Sequence, residues 1–358
     1  MKVKTSATII LNQLRILTKL VPPSSGNITV QIKNNNLYLY SMNDLATYES
    51  LVPCDVVEGD CMFGVSVEAF RTVLSKRKEV ELAYVNTMLT VTEGAYHAEL
   101  STADAIENQA LLNQGDEKPK TWKLTADQGK WIKSAVAEVN LKVVETLLPF
   151  MPLTIKVTSK GAFVVCYDSS HMSFIRSTEM TGDLYVTMPC DLLASVFEAF
   201  SGNSFRMDVT ESTLVIKSKL LKVCLSLPLS DAYIDVSELL SVANSSVKEK
   251  GSLLKTARSE MLDFMDSCKA IATKERSELA AKAKGKKLLL QVKTVAGNIK
   301  QSIPLKESVS ETEFRIDFAY LEEAIRKSAS EELTLKVIGD SSLLVDTDHG
   351  STVISLNE

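Results

Sequence analysis

The chain has 358 residues, 45% of them hydrophobic and 24% charged, with a formal net charge of −5. This describes a folded chain of two or three domains. It excludes a transmembrane helix, since no run of 18 apolar residues occurs, and argues against a protein that simply coats nucleic acid.

The first predicted element is a helix over 6–21. Ile10, Leu14, Leu17 and Val21 form its buried side, and Thr8, Asn12, Arg15 and Lys19 form a polar stripe with two positive charges. Pro22 and Pro23 end it. Strands follow at 28–32 and 37–40. A helix over 67–78 buries Val67, Phe70, Val73 and Leu74. It sets Arg71, Ser75 and Lys78 on one outward face, with Lys76 and Arg77 beside them. Strands at 80–85, 88–91 and 96–100 come next, then a polar, turn-rich linker over 104–120.

The pattern then repeats. A helix over 127–144 buries Ile132, Val136, Val139 and Val143 and carries Lys130 and Lys133 elsewhere on its surface. Strands at 153–157 and 162–166 lead to a helix over 190–200 with the apolar face Leu193, Val196, Phe197 and Phe200. This helix carries Asp191 and Glu198 and no basic residue. Strands at 205–209, 214–217 and 223–227 close the copy, and 231–250 reads as a second connection.

The third copy opens with an unusually long helix over 257–276. Its tail, 273–287, holds six Lys or Arg against two Glu and reads as a helix extension or a mobile basic loop. Strands at 288–292 and 299–303, a helix face of Phe318, Leu321, Ala324 and Ile325, and strands at 333–337, 343–345 and 352–356 complete it. Val67, Leu193 and Phe318 occupy matching positions, so the unit is about 120 residues, ordinary domain size, used three times.

Motifs of catalysis and metal binding are missing. His97, His171 and His349 have no second ligand at metal spacing. There is no P-loop, dinucleotide fingerprint or nucleophile elbow. Asp346-Thr-Asp348 reads as a hairpin turn. The six cysteines form no Cys-x-x-Cys pair, which fits a reducing interior. With no signal peptide recognised at the start, a cytoplasmic protein is expected. No enzyme, cofactor or metal is expected. An enzyme would need a site assembled from scattered residues in a concave pocket. Several repeat helices carry outward stripes that are basic or neutral, in a chain that is acidic as a whole. Such a lattice binds phosphates through charge without reading bases.

A chain of this length, built of three helix–sheet–helix–sheet repeats with basic helix faces, resembles the DNA polymerase sliding clamp of the bacterial beta type. The likeness covers nearly the whole chain, more by architecture than by identity. Phe163-Val-Val-Cys-Tyr-Asp168-Ser-Ser-His171-Met-Ser-Phe174 is similar to the family's stretch around Thr-Asp-Gly-His-Arg-Leu. Asp231-Ala-Tyr233-Ile-Asp-Val236 is similar to its Phe-Pro-Asp-Tyr connection. Departures are Ser169-Ser170 for the single Gly, Met172 for the Arg, and Ser355-Leu-Asn-Glu358 for the usual Met-Pro-x-Arg-Leu. They fit a divergent member, such as one carried by a bacteriophage.

The resemblance implies an α+β fold of three clamp domains, 1–118, 119–232 and 233–358, each with two inner helices on outer antiparallel sheets. It implies a head-to-tail homodimeric ring around double-stranded DNA, with a DNA polymerase and a clamp-loader ATPase as partners. The inner cations would be Arg15, Lys19, Arg71, Lys76, Arg77, Lys78, Lys130, Lys133, Arg258 and Lys269. A groove for partner peptides would be formed by Leu147, Tyr167, His171, Met172, Tyr233, Val236, Ile354 and Leu356. The alternative is a monomeric factor of the same fold that binds DNA without encircling it. The acidic helix over 190–200 keeps that alternative open.

Overall fold

The computed structural model describes residues 1–34, 36–105, 118–142, 151–227, 250–272, 277–346 and 350–357, with single positions at 241, 245 and 248. One order of elements is run through twice and then a third time with two long strands in place of four. The first pass is β1 (Lys2–Ser6), α1 (Ala7–Leu20), β2 (Asn27–Lys33), β3 (Asn36–Met42), β4 (Ala46–Glu58), β5 (Cys61–Ser66), α2 (Val67–Leu74), β6 (Glu79–Val85), β7 (Met88–Glu93) and β8 (Tyr96–Ser101). The second is β9 (Lys120–Leu124), α3 (Ala126–Val139), β10 (Pro152–Thr158), β11 (Gly161–Tyr167), β12 (His171–Ser177), β13 (Leu184–Pro189), α4 (Cys190–Phe200), β14 (Phe205–Val209), β15 (Thr213–Lys217) and β16 (Leu221–Ser226). The third is β17 (Ser252–Ala257), α5 (Arg258–Cys268), β18 (Glu278–Thr294), β19 (Gly297–Asp317), α6 (Phe318–Lys327), β20 (Glu332–Ile338), β21 (Ser342–Asp346) and β22 (Gly350–Ser355).

The chain divides into two compact units, and the division runs through the second pass. One unit is Met1–Lys133 with Ala194–Leu229, and the other is Ser134–Leu193 with Ser230–Glu358. In the first, antiparallel strands follow the order β8-β7-β6-β1-β4-β16-β15-β14-β9, and β3, β2 and β5 extend from β4. In the second, the order is β13-β10-β11-β12-β22-β21-β20-β17, beside a separate β18–β19 ribbon. Each long sheet therefore crosses from one pass to the next at a single strand pair. At one crossing, Leu221 to Leu225 of β16 lie opposite Ser50 to Ala46 of β4. At the other, Gly350 to Ile354 of β22 lie opposite Ile175 to His171 of β12.

The helices form where apolar residues recur at helical spacing. On α1, Ala7, Ile10, Leu14, Leu17 and Leu20 are buried, and the Tyr48 hydroxyl donates to Gln13 Oε1 at 2.7 Å beneath them. In the third pass Met261, Phe264, Leu321 and Ile325 join one core with Leu279, Leu288, Leu335 and Ile354. The expected polar stripe on α1 is exposed at Thr8, Asn12, Arg15 and Lys19.

Three expectations need correction. The helix expected over 127–144 ends at Val139, and Val143 of its expected buried face lies outside the described residues. The helix expected over 67–78 stops at Leu74, because Ser75 turns to ψ 134 and Lys76 sits at φ 64. Lys76, Arg77 and Lys78 thus stand on a loop. The helix expected over 257–276 ends at Cys268. The described part of its basic tail is strand β18, neither helix extension nor loop. Ala, Lys and Glu are strong helix formers, but Leu279, Ala281 and Ala283 alternate with exposed Lys282 and Lys284, which is a strand's period. Cross-strand ion pairs hold it: Lys282 to Glu311 at 2.7 Å, Lys284 to Glu311 at 2.8 Å and Arg315 to Glu278 at 3.2 Å. The two lysines hold the exposed Glu311 carboxyl at about 2.

Gly161 starts β11 at φ +139, and a Cβ there would meet the Ser177 carbonyl oxygen at 2.4 Å. Gly161→Ala is therefore expected to destabilise the chain by about 1–3 kcal/mol, read from the midpoint of urea unfolding. An unchanged midpoint would mean that this turn relaxes freely.

Candidate nucleic-acid interface and partner groove

Arg15 and Lys19 are one turn apart on the exposed side of α1. Lys19 is not free. Its Nζ pairs with Glu198 of α4. The Glu198 carboxyl is held below the usual carboxylate range by that hydrogen bond, with smaller help from Lys133 and Arg15. Glu198 is thus the acidic hub of cations from α1 and α3. On α3, Lys130 pairs with Asp127 at 2.9 Å. Arg71 on α2 and Lys76 and Lys78 beyond it are exposed. Arg71, Lys76 and Arg77 line a hollow of about 1090 Å³ that also touches Leu11, Thr72 and Ser75.

Arg77 is placed differently from its neighbours. Its Cζ lies 3.8 Å from the centre of the Tyr96 ring, and Nη1 is 3.6 Å from Glu93 Oε2.

The helices of the third pass use their cations internally. Arg258 Nε and Nη2 donate to the carbonyls of Ile325 and Arg326, both at 3.1 Å. These are carbonyls that the end of a helix leaves unpaired. Lys269 lies 3.1 Å from Asp266 and 3.8 Å from Glu322, and Arg326 shares both carboxylates. Hydrogen bonds from Arg326 and then Lys269 hold the Asp266 carboxyl below its ordinary range. With Glu260, Asp263 and Asp266 against Arg258, α5 is acidic. The basic or neutral character of the outward faces does not extend to it.

The groove candidates fall on two faces of one sheet. Tyr167 lies opposite Met172, and Met172 opposite Val353, so these three share a face. They form an apolar cluster with Val165, Phe174, Ile338 and Leu344, and Phe163 packs against it. His171 lies opposite Ile354 on the other face, where its ring stacks on Tyr320 at 4.2 Å. Leu356 packs against the core of the third pass and lines a hollow of about 550 Å³ with Leu289 and Phe314. Leu147, Tyr233 and Val236 lie outside the described residues. The structure thus brings Tyr167 and Met172 together and separates them from His171 and Ile354, as strand alternation requires. Tyr167 and Met172 are 1% and 5% exposed, so they wall a closed cluster.

Sequence reasoning missed the role of Asp168. Its Oδ1 accepts from Ser170 N at 2.7 Å and His171 N at 2.8 Å, and stands 2.9 Å from His171 Nδ1. The two side chains are 0% and 1% exposed. An Asp three residues before a His at a hairpin tip was the available signal. Among the described residues, no three His, Cys, Asp or Glu side chains could hold a metal, and no helix is long and apolar enough to cross a membrane.

No family model matches this sequence, and no curated protein matches it. The fold, in contrast, matches solved structures over the full chain. It is the α+β fold of the bacterial sliding clamps, with its helices packed on antiparallel sheets. The DNA polymerase sliding clamp of Bacillus subtilis superposes with a TM-score of 0.81 at 16% identity, covering 100% of this chain and 99% of that one. The beta subunit from DNA polymerase of Streptococcus pyogenes gives 0.83 at 15% identity, with 100% of both chains covered. The Helicobacter pylori beta clamp bound to a DNA ligase peptide gives 0.78 at 15% identity, again over 100% of both.

Asp168→Ala removes one acceptor from three buried or half-buried donors. It is expected to destabilise folding by at least about 2 kcal/mol, measured by urea unfolding, while Asp168→Asn, which keeps an acceptor, costs less. Equal losses for both variants would show that charge, and not the acceptor geometry, matters there.

Proposed function

We propose that this chain is the subunit of a DNA sliding clamp. Two copies close head to tail around duplex DNA and tether a polymerase to it. Each copy supplies three domains, 1–118, 119–232 and 233–358. The ring does no chemistry, and a separate loader ATPase opens it. Its place of action is the replicating DNA of a bacterial or phage-infected cell.

The observation that carries this reading is the repeated strand crossing. In each pass the last strand starts its hairpin with a serine pairing: Ser101 with Met88, Ser226 with Thr213, and Ser355 with Ser342. Counted back from that serine, Leu221–Leu225 and Gly350–Ile354 are equivalent, and each meets the neighbouring pass over five residues in the same register. The third member, Tyr96–Leu100 of β8, ends its sheet. Its counterpart strand is β19, which pairs only with β18 among the described strands. Thr5 Oγ1 donates to the Pro53 carbonyl and Thr256 Oγ1 to the Pro304 carbonyl, both at 3.0 Å. Pro304 therefore stands where Pro53 does, and Gly297–Gln301 where Ala46–Ser50 do. Two copies joined in this register would pair Leu100 with Gly297, Ala98 with Ile299 and Tyr96 with Gln301. A heterologous contact that closes makes a ring and removes both edges.

Arg15, Lys19, Arg71, Lys76, Lys78, Lys130 and Lys133 then supply loose, sequence-independent phosphate contacts, which let a ring slide. Arg258 and Lys269 serve the third pass itself. Partner peptides dock at the edge of the Tyr167–Met172 cluster; the Helicobacter pylori clamp, which is bound to a DNA ligase peptide, supports peptide docking as such. The acidic faces of α4 and α5 favour a second reading, a monomer that holds DNA through the first pass alone.

Light scattering separates the two. A ring gives a mass near twice 39.3 kDa, and the monomeric reading gives 39.3 kDa at every concentration. Ala98→Cys combined with Ile299→Cys is expected to give an oxidised covalent dimer that stays on circular DNA and slips off when it is cut. Ala98→Cys with Lys300→Cys, one residue out of register, gives far less. Glu198→Gln frees Lys19. It is expected to steepen the slope of log affinity against log salt for a short duplex by about one unit, and an unchanged slope would place Lys19 away from DNA.

A further inference from the structure

We infer that Arg77 is a positioning residue for the ring-closing edge and not a phosphate contact. The inference rests on the ring reading and names a control on that interface.

Lys76 and Lys78, its neighbours, are exposed, whereas the Arg77 side chain is 30% exposed. One face of its guanidinium lies on the Tyr96 ring, 3.8 Å from the centroid. Nη1 reaches Glu93 at 3.6 Å, and Nε is buried with no hydrogen-bond partner among the described residues. A guanidinium stacked on an aromatic face and paired to a carboxylate holds its geometry well, but its charge is largely spent. The same Glu93 carboxylate ties the backbone. Its Oε1 accepts from Lys78 N at 2.8 Å and Glu79 N at 3.2 Å. The Lys78 bond is the largest cause holding the Glu93 carboxyl below its usual range, with smaller help from Glu79 N and Arg77.

Glu93 ends β7 and Tyr96 begins β8, and the two lie opposite each other across the hairpin. Arg77 and the 78–79 backbone therefore clamp the tip of the hairpin that carries the free edge. Tyr96 is the first residue of the five that would pair with a second copy. Its counterparts are Leu221, seated opposite Ser50, and Gly350, seated opposite Ile175. Neither of these needs an external clamp, because each crossing is closed within the chain. The β8 edge must keep its shape while unpaired, and Arg77 supplies the brace. The loop carrying the exposed Lys76 and Lys78 is thereby tied to the edge that closes the ring.

The test uses the full chain and two readouts: the dimer dissociation constant by sedimentation, and the salt slope of short-duplex binding at protein concentrations where the dimer is saturated. Arg77→Ala is expected to raise the dissociation constant about tenfold and leave the slope unchanged. Lys78→Ala is expected to do the reverse, lowering the slope by about one at constant dimer affinity. Arg77→Lys keeps the charge and loses the stacked plane, so it weakens the dimer while preserving the slope. It stands in if Arg77→Ala unfolds. Arg77→Ala and Tyr96→Ala are expected to be strongly non-additive in dimer affinity. A wild-type dimer that Arg77→Ala and Arg77→Lys leave intact, or a slope that falls as with Lys78→Ala, overturns the inference and spares the ring. A wild-type monomer at all concentrations overturns both.

Discussion

The structure depends on sheet continuation from one repeat to the next. A strand edge carries a row of unpaired N–H and C=O groups, which must find partners or water. At β16–β4 and β22–β12 the partner is the neighbouring pass. The common register at the two crossings means that each pass has a donor edge and an acceptor edge at fixed positions. The fold can then be extended by a second copy with no new kind of contact. On the ring reading, closure is what keeps such a rule from giving an open filament.

That rule also explains the electrostatic layout. Backbone pairing at the crossings needs no charge, so the cations are free to serve other ends. The first pass exposes Arg15, Arg71, Lys76 and Lys78. The third pass spends Arg258 as a helix cap and closes Lys269 and Arg326 into a network with Asp266 and Glu322. Exposed ion pairs of this kind contribute little to stability. Their main effect is to lower the positive potential of one part of the chain relative to another. Glu198 does the same to Lys19 within the first unit. On the proposed reading, a surface that holds a polyanion loosely, without fixing it, gains from such moderation.

The β18–β19 ribbon breaks the symmetry of the repeats. Where the first two passes have four strands, the third has two long ones, bent at irregular pairings near Gly285. Its exposed face is a ladder of Lys and Glu, and its other face holds Leu279, Leu288 and Ile316 in the core. The part nearest the hairpin end, Gly297–Gln301, is the segment the ring reading leaves to a partner copy.

Much of the architecture was legible in the sequence because burial imposes a period. The faces of α1, α2, α4 and α6, and most strands, follow from apolar residues spaced by three and four or by two. The threefold recurrence followed from the same pattern. Seven strands were not read from the sequence: β1, β9 and β17, of five or six residues each and leading into a helix, and β4, β5, β12 and β13, of which β5, β12 and β13 are buried over three or more consecutive residues and so lack a strand's two-residue period. The tail over 273–287 misled because helix propensity is a local quantity, while Glu278–Gly285 of β18 are held by partners as far on as Asp317 and no nearer than Val309. The site was legible in part: residue types marked exposed cations and apolar walls. Which cations are free was decided by distant partners, Glu198 for Lys19, Tyr96 and Glu93 for Arg77, and the α6 carbonyls for Arg258. Which groove residues share a face was decided by strand register, which puts Tyr167 with Met172 and turns His171 away. Sequence alone thus determined the helices, most strands and their repetition, because these depend on near neighbours. Only the tertiary structure decided pairing, face and charge state, because each depends on a contact between residues far apart in the chain.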